Sequence, residues 1–290
     1  MKTIFEKKRN HIYFISFFII LYSSCNTTII KEQNALVYSP NEVSIAYFND
    51  GIRLNREHRY EESIISFTEA IKTDPAFQSA YIVRGNVFYI LGRYSEAIQD
   101  YDSAINLGLQ DISNYALAYY MKGKAYIVLN EFEKAIENYN QVLLLNPREP
   151  DAYHDRGYAY FNLERMAEAI TDISLAINFD PLNYRYYNSR AIIFYKLGNY
   201  ESALKDILKS LELNPGEAVT YSDCGYILKS LGHYNEALDC YNLAILLDSN
   251  FLMAYYGRAE LYSLLADTTD NINERNDYLE KARDDYARLQ

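Results

Sequence analysis

Few side chains in this 290-residue sequence are suited to nucleophilic, acid–base or metal chemistry. The four histidines are His11, His58, His154 and His233, and no two stand at a spacing that presents a pair of imidazoles to one metal ion. The serines have no histidine partner at matched positions, and neither a nucleophile elbow nor a glycine-rich phosphate loop occurs. Asp267, Asp270 and Asn271 cluster, but their spacing does not fit a calcium-binding EF-hand, so Asp267 to Asp277 reads as a solvated loop. Three cysteines are too few for a disulfide-built scaffold or a four-thiolate zinc site. Catalysis, a cofactor and a metal ion are therefore not expected. The chemistry left open is acylation of Cys25, a disulfide between Cys224 and Cys240, and partner binding through tyrosines. Tyrosine occurs 31 times while tryptophan is absent.

The elements that position these residues begin with an address. Lys2, Lys7, Lys8 and Arg9 precede the apolar run Ile12 to Tyr22, which is too short for the roughly 20 residues of a membrane-spanning helix. Ser23 and Ser24 lead into Cys25. The string Leu21-Tyr22-Ser23-Ser24-Cys25 resembles a bacterial lipobox, although Tyr22 stands where a small aliphatic residue is usual. The resemblance implies cleavage after residue 24 and a lipid on Cys25. Asn26 is not the aspartate that commonly retains lipoproteins in an inner membrane, so an outer-membrane lipoprotein facing the periplasm is expected. Residues 25–43 read as the acylated cysteine and a flexible tether. The whole chain has a formal net charge of −11, and loss of residues 1–24, which carry +3, would leave −14. So acidic a surface repels phosphate backbones, and nucleic acid is not an expected partner.

From residue 44 to residue 290 the sequence repeats. Pro147, Pro181 and Pro215 lie 34 residues apart, and Pro75 precedes Pro147 by two periods plus four residues. With each proline at position 32 of its unit, position 4 is Tyr47, Tyr81, Tyr119, Tyr153, Tyr187, Tyr221 and Tyr255. Position 8 is glycine or alanine throughout, as Gly51, Gly85, Gly123, Gly157, Ala191, Gly225 and Ala259, and position 20 is small as well. Positions 4, 8 and 11 share one face of a first helix, and positions 20, 24 and 27 one face of a second. Small residues at 8 and 20 let the helices approach, while aromatics at 4, 11, 17 and 24 fill the space around them. Eighteen of the 31 tyrosines fall at those four positions. Gly92, Gly198 and Gly232 occupy position 15, where a chain leaving the first helix needs positive φ.

This pattern resembles the tetratricopeptide repeat (TPR) family. The resemblance implies an all-α, right-handed solenoid of about seven helical hairpins, its last unit carrying a long inter-helix insertion. Two departures are visible. Ile112 to Tyr115 add four residues between units two and three, where a local kink is expected, and about eleven residues are added in unit seven.

Positions 7 and 23 change together within the chain. Arg84 goes with Asp100, Arg156 with Asp172, Arg190 with Asp206 and, in register, Arg258 with Asp285. A salt link closing each hairpin is expected, and a partly exposed one contributes about 0–1 kcal/mol. In unit six the same positions hold Cys224 and Cys240, so the two are expected to touch, either as a disulfide or as a reduced buried pair. A metal shared with His233 is the outlying reading.

The family resemblance also implies a concave face lined by the first helices, chiefly at positions 2, 5, 9, 12 and 13. On that basis the expected partner-binding residues are Tyr89, Tyr120, Lys124, His154, Tyr158, Phe161, Tyr195, Tyr226 and Lys229. The groove reads as aromatic, with few charges of its own, and suits an extended peptide or an amphipathic helix. Position 5 carries no lysine in any unit, which argues against the carboxylate clamp used by some members of the family. The expected function is a non-catalytic, lipid-anchored adaptor holding a protein or peptide partner at a bacterial envelope. Self-association without a separate client is the alternative.

Overall fold

The computed structural model describes residues 38–108 and 111–289. Cys25, the expected signal segment and the tether up to residue 37 lie outside the described residues. Within them there are fourteen helices and no strand. They pair as hairpins: α1 Glu42–Arg56 with α2 Tyr60–Thr73, α3 Gln78–Ile90 with α4 Tyr94–Asn106, and α5 Ile112–Val128 with α6 Phe132–Leu145. Next come α7 Pro150–Asn162 with α8 Met166–Phe179, and α9 Tyr184–Lys196 with α10 Tyr200–Leu213. The array closes with α11 Ala218–Ser230 on α12 Tyr234–Leu247, and α13 Leu252–Thr268 on α14 Ile272–Ala287. Each helix packs on its hairpin partner and on the adjoining unit, so the molecule is a solenoid with nearest-neighbour contacts.

The repeat positions explain the packing. Phe67, Tyr101, Tyr139, Ile173, Ile207 and Tyr241, all at position 24, are almost fully buried. The ring of Tyr241 lies over Gly225, where an added Cβ would sit 2.6 Å from Tyr241 Cε1. The tyrosines at position 4 tie one unit to the next. Tyr81, Tyr153 and Tyr187 donate their hydroxyls to the carbonyls of Pro75, Pro147 and Pro181 at 3.2–3.3 Å. Position 15 is left-handed wherever the turn is regular. Gly92, Gly198 and Gly232 have φ of 74°, 75° and 79°, and His58, Asn130 and Glu164 adopt the same region at 57–60°.

Both insertions become helix. Ile112 to Tyr115 form the first turn of α5, capped by Asp111, which accepts from the amides of Ser113 and Asn114. The expected loop from Asp267 to Asp277 is corrected: Asp267 and Thr268 end α13, and Ile272 to Asp277 begin α14, leaving three residues between helices. Eleven residues are close to three turns at 3.6 residues per turn, so the added length keeps both helices facing each other. Asn271 caps α14 by accepting from the amides of Asn273 and Glu274. The start of the solenoid also moves. Residues 38–43 were expected in the tether, but Glu42 and Val43 open α1, Asn41 bonds to Asp74 and to the Thr73 carbonyl, and Tyr38 packs beside Phe77. Among the described residues no helix is long and apolar enough to cross a membrane.

The expected salt links are present but more buried than the sequence suggested. Arg84, Arg156, Arg190 and Arg258 each hold their aspartate through two nitrogens at 2.6–2.8 Å. The four aspartates are only 4–5% exposed. Each arginine sends its Nη1 to position 25 of the preceding unit: Thr68, Asn140, Ser174 and Asn242 respectively. One side chain thus joins three helices across a unit boundary, a third partner that the sequence pattern had not revealed. In unit three Lys122 reaches Asp102 instead, at 2.6 Å. In unit six the Sγ atoms of Cys240 and Cys224 lie 3.2 Å apart as free thiols. Their contact and the burial of the site raise the Cys224 thiol.

Candidate functional site

The first helices of units two to four bring Tyr89, Tyr120, Lys124 and Tyr158 around one cavity of about 260 Å³. Tyr158 is 46% exposed, and Tyr120 and Tyr89 are half-buried. Asp151, Asp155 and Arg185 line the same cavity. The expectation of a groove with few charges is therefore corrected. Asp151 and Arg185 lie at position 2, which belonged to the expected lining, whereas the expected residues came from positions 5, 9 and 12. Asp155 lies at position 6, which did not.

Position 6 matters because a side chain at position 5 reaches it in the next unit. Tyr120 donates to Asp155 Oδ2 at 2.9 Å, and His154 Nε2 meets Ser189 Oγ at 2.9 Å. Both spans are 35 residues, one unit plus one. The two bonds link the first helices of units three to five. They also correct His154, which is only 8% exposed, with its second nitrogen 3.0 Å from Asp155 Oδ1. It is a structural link, not a surface contact. Burial, then the Asp155 carboxylate, raise the Tyr120 phenol, so it remains a donor.

Tyr139, from the second helix of unit three, also borders this chamber. Tyr139 is fully buried, lines the cavity, and its Oη has no hydrogen-bond partner. Lys124 stacks over the Tyr120 ring at 5.7 Å, and neither Lys124 nor Arg185 has a carboxylate within ion-pair distance among the described residues. The chamber offers carboxylates, cations and phenols side by side, as a peptide backbone with mixed side chains requires.

The remaining expected residues continue the face. Phe161 lies under Lys196 Nζ at 5.0 Å, and Tyr195 packs against Tyr200. Tyr226 donates to the Met253 carbonyl at 3.4 Å, and Lys229 pairs with Glu260 at 2.9 Å while stacking on Tyr226. Lys229 is thus already neutralised within the chain.

Asp223, at position 6 of unit six, is poorly satisfied. Its Oδ2 is buried without a hydrogen-bond partner. Burial, partly offset by Asn188, pushes its carboxyl up to about 6. A carboxyl raised in the folded state favours folding when protonated, so stability should rise as pH falls from above 6 toward 4. Asp223→Asn should be more stable than the parent by about 1–2 kcal/mol at pH 7, with the difference shrinking as pH falls through 6 and gone below the ordinary carboxyl range, near pH 3.5. Urea unfolding at the two pH values checks this. A variant less stable at pH 7 with an unchanged pH slope would refute it.

His58 and His233 are exposed in turns, and no group of three His, Cys, Asp or Glu side chains able to hold a metal occurs among the described residues.

Comparison with known proteins places these observations. Family models described as TPR repeat or tetratricopeptide repeat match residues 51–112, 123–164, 150–181, 184–217 and 220–251. No curated relative matches the sequence. Among solved structures, the C-terminal part of a TPR repeat-containing protein from Cytophaga hutchinsonii is 16% identical, with a TM-score of 0.68 over 84% of this chain and 99% of its own. A tetratricopeptide repeat protein from Parabacteroides merdae is 17% identical, with a TM-score of 0.66 over 84% of this chain and 100% of its own. YrrB, described as a TPR protein with an unusual peptide-binding site, is 22% identical, with a TM-score of 0.52 over 65% of this chain and 95% of its own. At such identities the likeness concerns the fold.

Proposed function

The chain belongs to the tetratricopeptide repeat family, and from that premise we propose that it is a non-catalytic adaptor holding a protein or peptide partner in its concave groove. Repeats of this family are generally interaction modules, and the matched models span most of the described residues. The observation that carries the reading is the chamber around Tyr89, Tyr120, Lys124 and Tyr158. Its half-exposed rings supply area at low entropic cost, and its unpaired Lys124 and Arg185 remain available to a ligand. The YrrB description is an example of peptide binding on this fold.

The lipobox-like string supports acylation at Cys25 and an anchor at a bacterial envelope, on the periplasmic side of an outer membrane. The adaptor would then hold its client close to that surface.

One experiment tests both halves. The full chain, solubilised in mild detergent, is used to capture partners from envelope extract beside the triple variant Tyr158→Ala, Phe161→Ala, Tyr195→Ala, with folding checked by helical CD. A client held by the parent and lost by the variant supports the groove. Equal retention places the site elsewhere. Cys25→Ala should move the chain from the membrane to the soluble fraction, and its persistence in membranes would remove the lipid anchor. A chain that captures nothing and sediments as a concentration-dependent oligomer would favour self-association.

A further inference from the structure

Unit three departs from its neighbours by the extra turn Ile112 to Tyr115, and that turn walls a second cavity of about 540 Å³. Its apolar surface comes from Ile112, Leu117, Val142 and Leu145. Ile112 is 54% and Leu117 40% exposed, so this surface is open to solvent. The cavity shares Tyr120 and Asp151 with the groove chamber, so one ligand could enter both. On its rim stand Glu149 and Asp151. Glu149 accepts one hydrogen bond from Asn146, and Asp151 one from the Tyr186 hydroxyl at 2.6 Å. Neither has a basic partner within ion-pair distance among the described residues, and no basic side chain lines the cavity. Burial and the Asp151 charge raise the Glu149 carboxyl, which marks the rim as short of a cation.

We propose that this cavity is a side-chain subsite that takes a large apolar residue of a bound peptide carrying a lysine or arginine within two residues of it. The inference rests on the reading that the concave face binds a peptide. Charge complementarity selects the occupant. Two unpaired carboxylates beside aliphatic surface, on a chain of net charge −11, repel an acidic segment and reward a cation next to an apolar anchor. The volume suits an anchor and the neighbouring chain, since ligand sites commonly enclose about 300–1,000 Å³. The extra turn places the subsite at the junction of units three and four.

The test uses the full chain in mild detergent and an array of fluorescein-labelled dodecapeptides, each position fixed in turn as Leu, Phe, Lys, Arg, Glu or Ser. Anisotropy should select Leu or Phe with Lys or Arg within two positions. The double variant Glu149→Gln, Asp151→Asn should weaken such peptides about tenfold and remove the preference for Lys over Ser. Leu117→Ser, on a half-exposed site, should remove the apolar preference with helical CD unchanged. Tyr158→Ala should weaken all peptides alike. A parent preference for Glu, or a Lys preference that survives the double variant, overturns the subsite alone. A parent that binds no peptide in the array overturns both the subsite and the groove reading.

Discussion

Arg190→Met is expected to destabilise the solenoid by about 3 kcal/mol or more, because it leaves Asp206 buried without its counter-charge. Asp206 is 4% exposed and receives two arginine nitrogens at 2.7 and 2.8 Å. The substitution also removes the link to Ser174 in the preceding unit. The double variant Arg190→Met, Asp206→Leu should recover most of the loss, since apolar replacement of both partners removes the desolvation cost of the pair. The interaction energy from the full cycle, read by urea unfolding, separates this account from a plain packing defect. Simple additivity of the two single variants would contradict it. The sequence-based expectation of about 0–1 kcal/mol assumed partial exposure of both partners. Burial of the aspartate changes the expected effect because an orphaned charge there has no water to turn to.

Oxidation of unit six is the second large effect. Cys224 and Cys240 occupy the positions that elsewhere hold arginine and aspartate, and their sulfurs are in contact at 3.2 Å. Oxidised glutathione should convert the two thiols to one disulfide, with loss of two hydrogens from the chain and release of two reduced glutathiones. Closing a loop of this length stabilises by roughly 3 kcal/mol in the chain-entropy model. The melting midpoint should rise by about 5–10 °C and fall back on addition of dithiothreitol. Cys224→Ser and Cys240→Ser should each abolish the effect. Two alkylatable thiols after prolonged oxidation would refute it. In a secreted chain the disulfide would replace the ion pair as the clasp of its hairpin.

That four of the expected residues share one cavity was legible from the repeat frame, because a face of a helix is fixed by spacing alone. Tyr89, Tyr120, Lys124 and Tyr158 were chosen by their positions in the repeat, and the structure brings them around one chamber. His154 was chosen by the same rule and is buried. The frame gives the direction of a side chain but not what the next unit places in front of it. Asp155 has no signal in the repeat frame because position 6 meets the position-5 side chain of the preceding unit only when two units stack. The loop expected from Asp267 to Asp277 was a judgement from polarity, and polar residues capped by Asn271 form helix readily when a neighbouring helix supports them.

The sequence by itself determined the hairpin count, the pairing of positions 7 and 23, and the glycine gap that admits the position-24 ring. These depend on residues within one unit, and a 34-residue period repeats that local arrangement. Only the tertiary structure decided what forms between units. The third bond of each arginine, the hydrogen bonds from position 5 to position 6 and the cavity beside the extra turn all require two stacked hairpins. Their physical origin is the same. Stacking removes water from groups that a single unit would leave solvated, and each must then find a partner in its neighbour or remain free for a ligand.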